Sequence, residues 1–155
     1  MRRGSLGEVG EEATTVVRLF PDYAESVLWF PHPLAYEGTR LDAQLIENLK
    51  AWEDSYYAGL TRTYSWRDPA LEAEFVAEGA RLARRLAAEI GDEFQVEHDS
   101  AGGVPRRVRG RGPARNPDAA AALREMARAA TAEWDELRRV VAGARRAGQT
   151  LEWRA

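Results

Sequence analysis

The sequence has no cysteine, a single lysine (Lys50) and only two histidines, His32 and His98. Without thiols there is no disulfide, thiolate metal site or cysteine nucleophile. The chain fits a reducing compartment, and a cytoplasmic location is expected. Neither histidine has a second one at metal-binding spacing, so no metal site is expected. His98-Asp99-Ser100 holds the residue types of a hydrolase triad, but neighbours along a strand point to opposite faces and cannot assemble one. The glycine patterns of phosphate and dinucleotide loops are missing, and so is a calcium-binding Asp-x-Asp loop. No apolar run nears the roughly 20 residues of a membrane span. Residues 4–12, behind Met1-Arg2-Arg3, are too acidic and glycine-rich for a secretion signal. No catalytic residue, cofactor, metal or membrane contact is therefore expected.

What is present suffices for a core. The chain has 155 residues, 45% of them hydrophobic, with five tryptophans, enough to fold without staples. The expected layout is a flexible tail at 1–13 and a single α+β domain at 14–155. Val16, Val17, Leu19 and Phe20, then Val27, Leu28, Trp29 and Phe30, flank the turn Pro21-Asp22-Tyr23-Ala24 and predict an N-terminal hairpin that Pro31 and Pro33 end. Leu41, Leu45, Leu49, Trp52, Tyr56 and Leu60 keep one helical face and predict a helix over about 41–60, with Thr39 as N-cap and Gly59 marking a fraying end. Asp68-Pro69 opens a second helix, about 68–90, with Leu71, Phe75, Leu82, Leu86 and Ile90 as its stripe and Gly91 as its stop. Gly79 lies on that stripe and implies close approach of another backbone. Phe94, Val96 and His98 alternate as a third strand. Residues 99–117 form an Arg/Gly/Pro-rich loop with a weak fourth strand around 104–109. A last helix, about 118–147, starts at Asn116-Pro117 and carries Leu123, Met126, Ala127, Ala130, Trp134, Leu137 and Val141. Gly148 caps it, and residues 150–154 read as a closing strand. Such a pattern gives an α+β fold, a small antiparallel or mixed sheet packed with three helices.

Charge is divided along the chain. Residues 1–60 carry ten acidic side chains against five basic, residues 61–100 nine against five, and residues 101–155 six against twelve. Arg106, Arg107, Arg109, Arg111 and Arg115 are concentrated among glycines and prolines. Guanidinium forks on a flexible loop suit phosphates, nucleic acid or an acidic protein surface. However, the aromatics that stack bases are missing there, and the sequence pI of about 5.5 opposes a dedicated nucleic-acid binder. The carboxylate pairs Glu74/Glu78 and Glu47/Asp54 read as ordinary polar helix faces. Trp52, Tyr56, Tyr57, Tyr64 and Trp66 crowd the first helix and the linker after it. Trp52 and Tyr56 belong to the core stripe. Tyr57, Tyr64 and Trp66 do not, and with Asp54 they are the candidate partner-binding residues. The competing reading folds them over a helix end.

Leu28-Trp29, Leu45, Leu49, Trp52, Tyr56, Phe75, Glu78-Gly79, Leu82-Ala83, Leu86, Glu89 and Gly91 together resemble a pattern, over about residues 27–97, in small uncharacterised actinobacterial α+β proteins. That resemblance implies a compact α+β fold and no catalytic residues. By analogy with small proteins of this general kind, the leading expectation is a non-enzymatic interaction protein of immunity or toxin-neutralising type. It would act through its acidic surface on another protein, a basic one. The alternatives are phosphate or nucleic-acid binding through the Arg loop, and an enzyme with a carboxylate-based site that the fold assembles. Self-association as a homodimer is a further possibility.

Overall fold

The computed structural model describes residues 14–148. The tail at 1–13 and the closing strand at 150–154 lie outside the described residues. The elements are β1 (Thr15–Leu19), β2 (Leu28–Trp29), α1 (Ala43–Gly59), α2 (Pro69–Ile90), β3 (Phe94–Asp99), β4 (Pro105–Arg109) and α3 (Pro117–Arg146). The strands form one mixed sheet in the order β2-β1-β3-β4. β1 pairs antiparallel with β2 and parallel with β3, and β3 pairs antiparallel with β4. The expected hairpin and α+β class are therefore present. The parallel β1–β3 pair needs a long crossover, which β2, α1 and α2 supply.

Strand alternation sorts the two faces of the sheet. Val17, Leu19, Phe94, Val96 and His98 are buried on the helix side, while Arg18, Gln95 and Glu97 point the other way. On that outer face Glu97 pairs with Arg18 and Arg107, each at 3.2 Å. α2 packs on β3 and β4, with α1 and α3 against it. It buries Gly79, Leu82, Ala83, Leu86, Ala87 and Ile90. Each large member contributes roughly 1.5–3 kcal/mol by leaving water, and the small ones let neighbours come close.

The helix starts show how side chains set boundaries. Asp68 accepts from the Ala70 amide at 2.8 Å with Pro69 following, as expected. Asn116 accepts from the Ala119 amide at 3.1 Å and opens α3. For α1 the cap is Asp42, whose Oδ2 accepts from the Leu45 amide at 3.1 Å, and not Thr39. Thr39 is fully buried and donates to the Tyr36 carbonyl at 2.7 Å, which ties down the turn before the helix.

Two glycines have other causes than the sequence suggests. Gly79 faces a side chain instead of a backbone: a Cβ there would sit 2.8 Å from the Trp52 ring. Gly59 is buried under Trp66, whose ring a Cβ would meet at 2.6 Å, so it marks a packed end and no fraying. The α3 stripe is also shorter than expected. Leu123 is buried and Met126, Ala127 and Ala130 are partly covered, but Trp134 and Leu137 are 49% and 47% exposed. Leu71, on the expected α2 stripe, is exposed as well.

Residues 110–116 are fastened to the end of α2. The Ala88 and Glu89 carbonyls, which a helix end leaves without partners, accept from the Arg115 and Asn116 amides at 3.3 and 3.0 Å. Gly91 ends the helix at φ +82, where its missing Cβ leaves room for the Ala114 backbone, and Gly110 likewise approaches the Ala87 carbonyl. Glu89 sits half-buried at this junction. Its Oε1 accepts from the Asp42 amide at 3.1 Å, and its buried Oε2 has no partner. Burial raises its pKa above 4.5, with Asp42 adding to the rise, while the Asp42 amide, Asn116 and Arg85 pull it back. The folded state thus holds the proton more tightly, and that contribution is lost as pH rises through the raised value. Glu89→Gln should raise the melting temperature at neutral pH and flatten the stability profile above pH 4.5. The gain should stay under about 1 kcal/mol because water screens a half-exposed group. Thermal melts of both proteins across pH check this.

Candidate functional site

Three aromatic side chains meet at the end of α1. Tyr57 lies on its last turn, Tyr23 on the β1–β2 loop and Tyr64 on the α1–α2 turn. The Tyr23 ring packs on Tyr57 at 4.7 Å and meets Tyr64 edge-on at 6.4 Å. The Tyr57 hydroxyl accepts from the Tyr23 amide at 2.6 Å, tying the loop to the helix. Tyr23 and Tyr64 are each 71% exposed. Both hold left-handed backbone, at φ 48 and 62. A bulky residue pays about 1–2 kcal/mol for that conformation, so the fold over-determines both. The Tyr64 turn is closed by Ser65 and Thr61: the Thr61 amide donates to the Ser65 carbonyl at 2.7 Å, and Thr61 Oγ1 accepts from the Thr63 and Ser65 amides.

Behind this trio lies a second layer. Trp52 stacks on Phe75 at 4.5 Å and 3° and donates its Nε1–H to the Phe75 carbonyl at 2.9 Å. Trp66 leans on Tyr56 and Phe75 at 5.7 and 5.3 Å and covers Gly59. Of the candidate residues, Tyr57 and Tyr64 therefore join one exposed cluster through Tyr23. Asp54 is exposed one turn before Tyr57. Trp66 is half-buried and mainly closes the helix end.

The carboxylates here lack counter-charges. Asp22, Glu53, Asp54 and Asp99 have no ion-pair partner among the described residues. Burial, then Asp54, pushes the Glu53 carboxyl above its ordinary 4.5, and its Oε2 has no hydrogen-bond donor. Burial also raises the Tyr57 phenol; the Tyr23 amide lowers it, and Glu53, Tyr56 and Asp22 raise it further. Tyr36 is pushed up to about 12 by burial, against the hydrogen bond from Val27 and with Glu53 adding to it. Beside the tyrosines runs a cleft of about 300 Å³ lined by Phe20, Asp22, Trp52, Tyr56, Phe75 and Asp99. It offers aromatic faces and two carboxylates, the chemistry that receives a guanidinium or ammonium group.

The Arg loop does not form the expected single flexible cluster. Arg107 is on the outer sheet face, held by Glu97 at 3.2 Å, and Arg106 stands opposite His98 across the β3–β4 pair. Arg109 shares the Arg107 face and donates to the Thr14 hydroxyl, while Arg111 and Arg115 share a groove with Arg84 of α2. His98 is 7% exposed and packed on the sheet, its Nδ1 without a partner. Glu78 is taken by Arg81 at 2.5 Å and Glu47 by Lys50 at 3.6 Å. Among the described residues no cluster of three or more His, Cys, Asp or Glu could hold a metal ion, and no helix is long and apolar enough to cross a membrane.

A family model described as Serratia CdiI immunity protein-like matches residues 15–101, more than half of the chain. The chain belongs to this family. No curated protein and no solved structure matches it. Family membership gives the chain an immunity role, neutralising a toxin by binding another protein and not by catalysis. The segment 27–97, whose pattern resembles other small α+β proteins, falls wholly within the immunity-family region. That region runs from β1 through β3 and contains every residue of the tyrosine cluster and the acidic cleft. It holds sixteen acidic and eight basic side chains. Arginines 109, 111 and 115, and all of α3, lie beyond it.

Sequence reasoning missed Tyr23, Asp22 and Asp99. Tyr23 and Asp22 read as turn chemistry, and only the turn's folding onto α1 brings them to Tyr57. Asp99 ends β3, far in sequence from the other cleft residues. An aromatic in a Pro-Asp turn, where nothing local needs one, was the available signal.

Proposed function

We propose that the toxin bound by this immunity protein is basic, and that it docks on the surface formed by Tyr23, Tyr57, Tyr64, Asp22 and Asp54. The observation that carries this reading is the pair of exposed tyrosines held in left-handed backbone among unpaired carboxylates. Strained, exposed aromatics that cost folding energy are kept where they contact something. A central anchor has a place in the neighbouring cleft, where an arginine or lysine of the toxin would lie between Asp22 and Asp99 over the Trp52–Phe75 stack. The acidic field over the family region speeds encounter with such a partner. Trp66 supports the surface from beneath. A cytoplasmic place of action in an actinobacterial host suits the cysteine-free, arginine-rich composition.

Glu53 supplies the test. A cation bound nearby favours its charged form, so affinity should fall as pH drops through its raised pKa, above 4.5. Glu53→Gln should remove most of that pH dependence. Titration calorimetry of the protein with its co-purifying toxin, across pH and salt, measures this. Affinity that rises on acidification, or that is indifferent to both salt and Glu53, would reject a basic partner at this end.

A further inference from the structure

The groove between α2 and residues 108–115 is a different kind of surface. It encloses about 450 Å³ and presents Arg84, Arg111 and Arg115 over Val108 and Pro113, with no acidic residue in its wall; Arg109 stands at its edge, with its side chain on the outer sheet face beside Gln95. Arg84, Arg111 and Arg115 have no ion-pair partner among the described residues, while Arg109 donates to the Thr14 hydroxyl. Like charges gathered without a counter-ion repel one another, so their company needs a reason. The wall is rigid. The Gly110 and Gly91 contacts, with the amides of Arg115 and Asn116 bonded to the α2 carbonyls, fix the loop that presents the guanidinium groups. Preorganised forks of this kind recognise oxyanions at low entropic cost.

We infer that this groove binds a short acidic segment of a protein, with two or more carboxylates meeting Arg84, Arg111 and Arg115. Nucleic acid fits less well. The groove has no aromatic side chain on which a base could stack. A long polyanion would also run onto a molecule whose sequence pI is about 5.5. Carboxylates on an extended peptide need only the groove's own length, and their methylenes suit Val108 and Pro113. The site is separate from the tyrosine surface and does not depend on it.

The experiment uses the full chain and two dye-labelled probes of equal charge, a glutamate-rich octapeptide and a single-stranded oligonucleotide, in fluorescence anisotropy at low salt. The peptide should bind more tightly than the oligonucleotide. Arg84→Ala with Arg111→Ala should weaken peptide binding by about tenfold or more, since exposed charges are removed from a paired oxyanion. Arg106→Ala, outside the groove, should change it by less than about twofold. Circular dichroism confirms that the variants are folded. Tighter binding of the oligonucleotide, no peptide binding, or equal loss in the Arg106 variant would each overturn the proposal.

Discussion

Exchanging Tyr23 and Tyr64 for glycine together should weaken toxin binding by about two to three orders of magnitude, yet leave the free protein as stable as before or more stable by up to about 1 kcal/mol. Opposite signs follow from the geometry. Each tyrosine is 71% exposed and pays for a left-handed backbone that glycine adopts freely. Removing Tyr23 also loses its packing on Tyr57, about 0.5–1.5 kcal/mol, which offsets much of the strain relieved there. Tyr64 meets Tyr23 edge-on at 6.4 Å, a looser contact than the Tyr23–Tyr57 packing, so more of its relief remains as gain. On the proposed docking both rings become buried anchors, and losing the pair together costs about 3–4 kcal/mol. Urea unfolding of the free protein and calorimetry of the complex give the two halves. A variant that loses stability and keeps its affinity would show that the tyrosines serve the fold.

The largest effect on stability should come from Trp52→Ala, a loss of about 3–5 kcal/mol. Whole domains are stable by only about 5–15 kcal/mol, so much of the protein would unfold under mild denaturant. Trp52 is buried, stacks on Phe75, bonds its carbonyl and fills the space above Gly79. Gly79 reports on this arrangement independently. Alanine in a helix interior is normally worth about 1 kcal/mol over glycine. At position 79 the added Cβ would lie 2.8 Å from the indole, so Gly79→Ala should destabilise the wild-type protein. In the Trp52→Ala background the obstacle is gone, and the same change should stabilise by up to about 1 kcal/mol. That reversal of sign in a double-mutant cycle separates Trp52 contact from helix propensity. Gly79→Ala stabilising both backgrounds would mean that the indole does not occupy that space.

The elements were legible because local signals agreed: four-and-three spacing in α1, Asp68-Pro69 and Gly91 around α2, alternation in β3. Tertiary partners were not. Gly79 announced a close approach but not that an indole makes it, because the meeting of α1 with α2 is set by packing over 27 positions of sequence. Thr39 looked like a cap by type, yet the cap is Asp42, three residues closer to the helical run. Half of α3 kept an apolar stripe without a partner among the described residues, and periodicity alone does not say what a stripe faces. The candidate site was half readable. Asp54, Tyr57 and Tyr64 stood out as aromatics and acid without a core address. Tyr23 did not, because the turn that carries it is explained locally and its meeting with Tyr57 is not. The arginines drew notice as a run, but a strand sends alternate residues to opposite faces, so Arg107 and Arg109 part company with Arg106, and Arg84 joins Arg111 and Arg115 at the groove.

Hydrogen exchange of the protein alone and in complex with its toxin tests the central claim most directly. Binding at the tyrosine surface should slow exchange in residues 20–25, 53–57 and 61–66 together, three segments that the Tyr23–Tyr57–Tyr64 contacts bring to one surface. Protection confined to the outer sheet face or to α3, with those three segments unchanged, would contradict it.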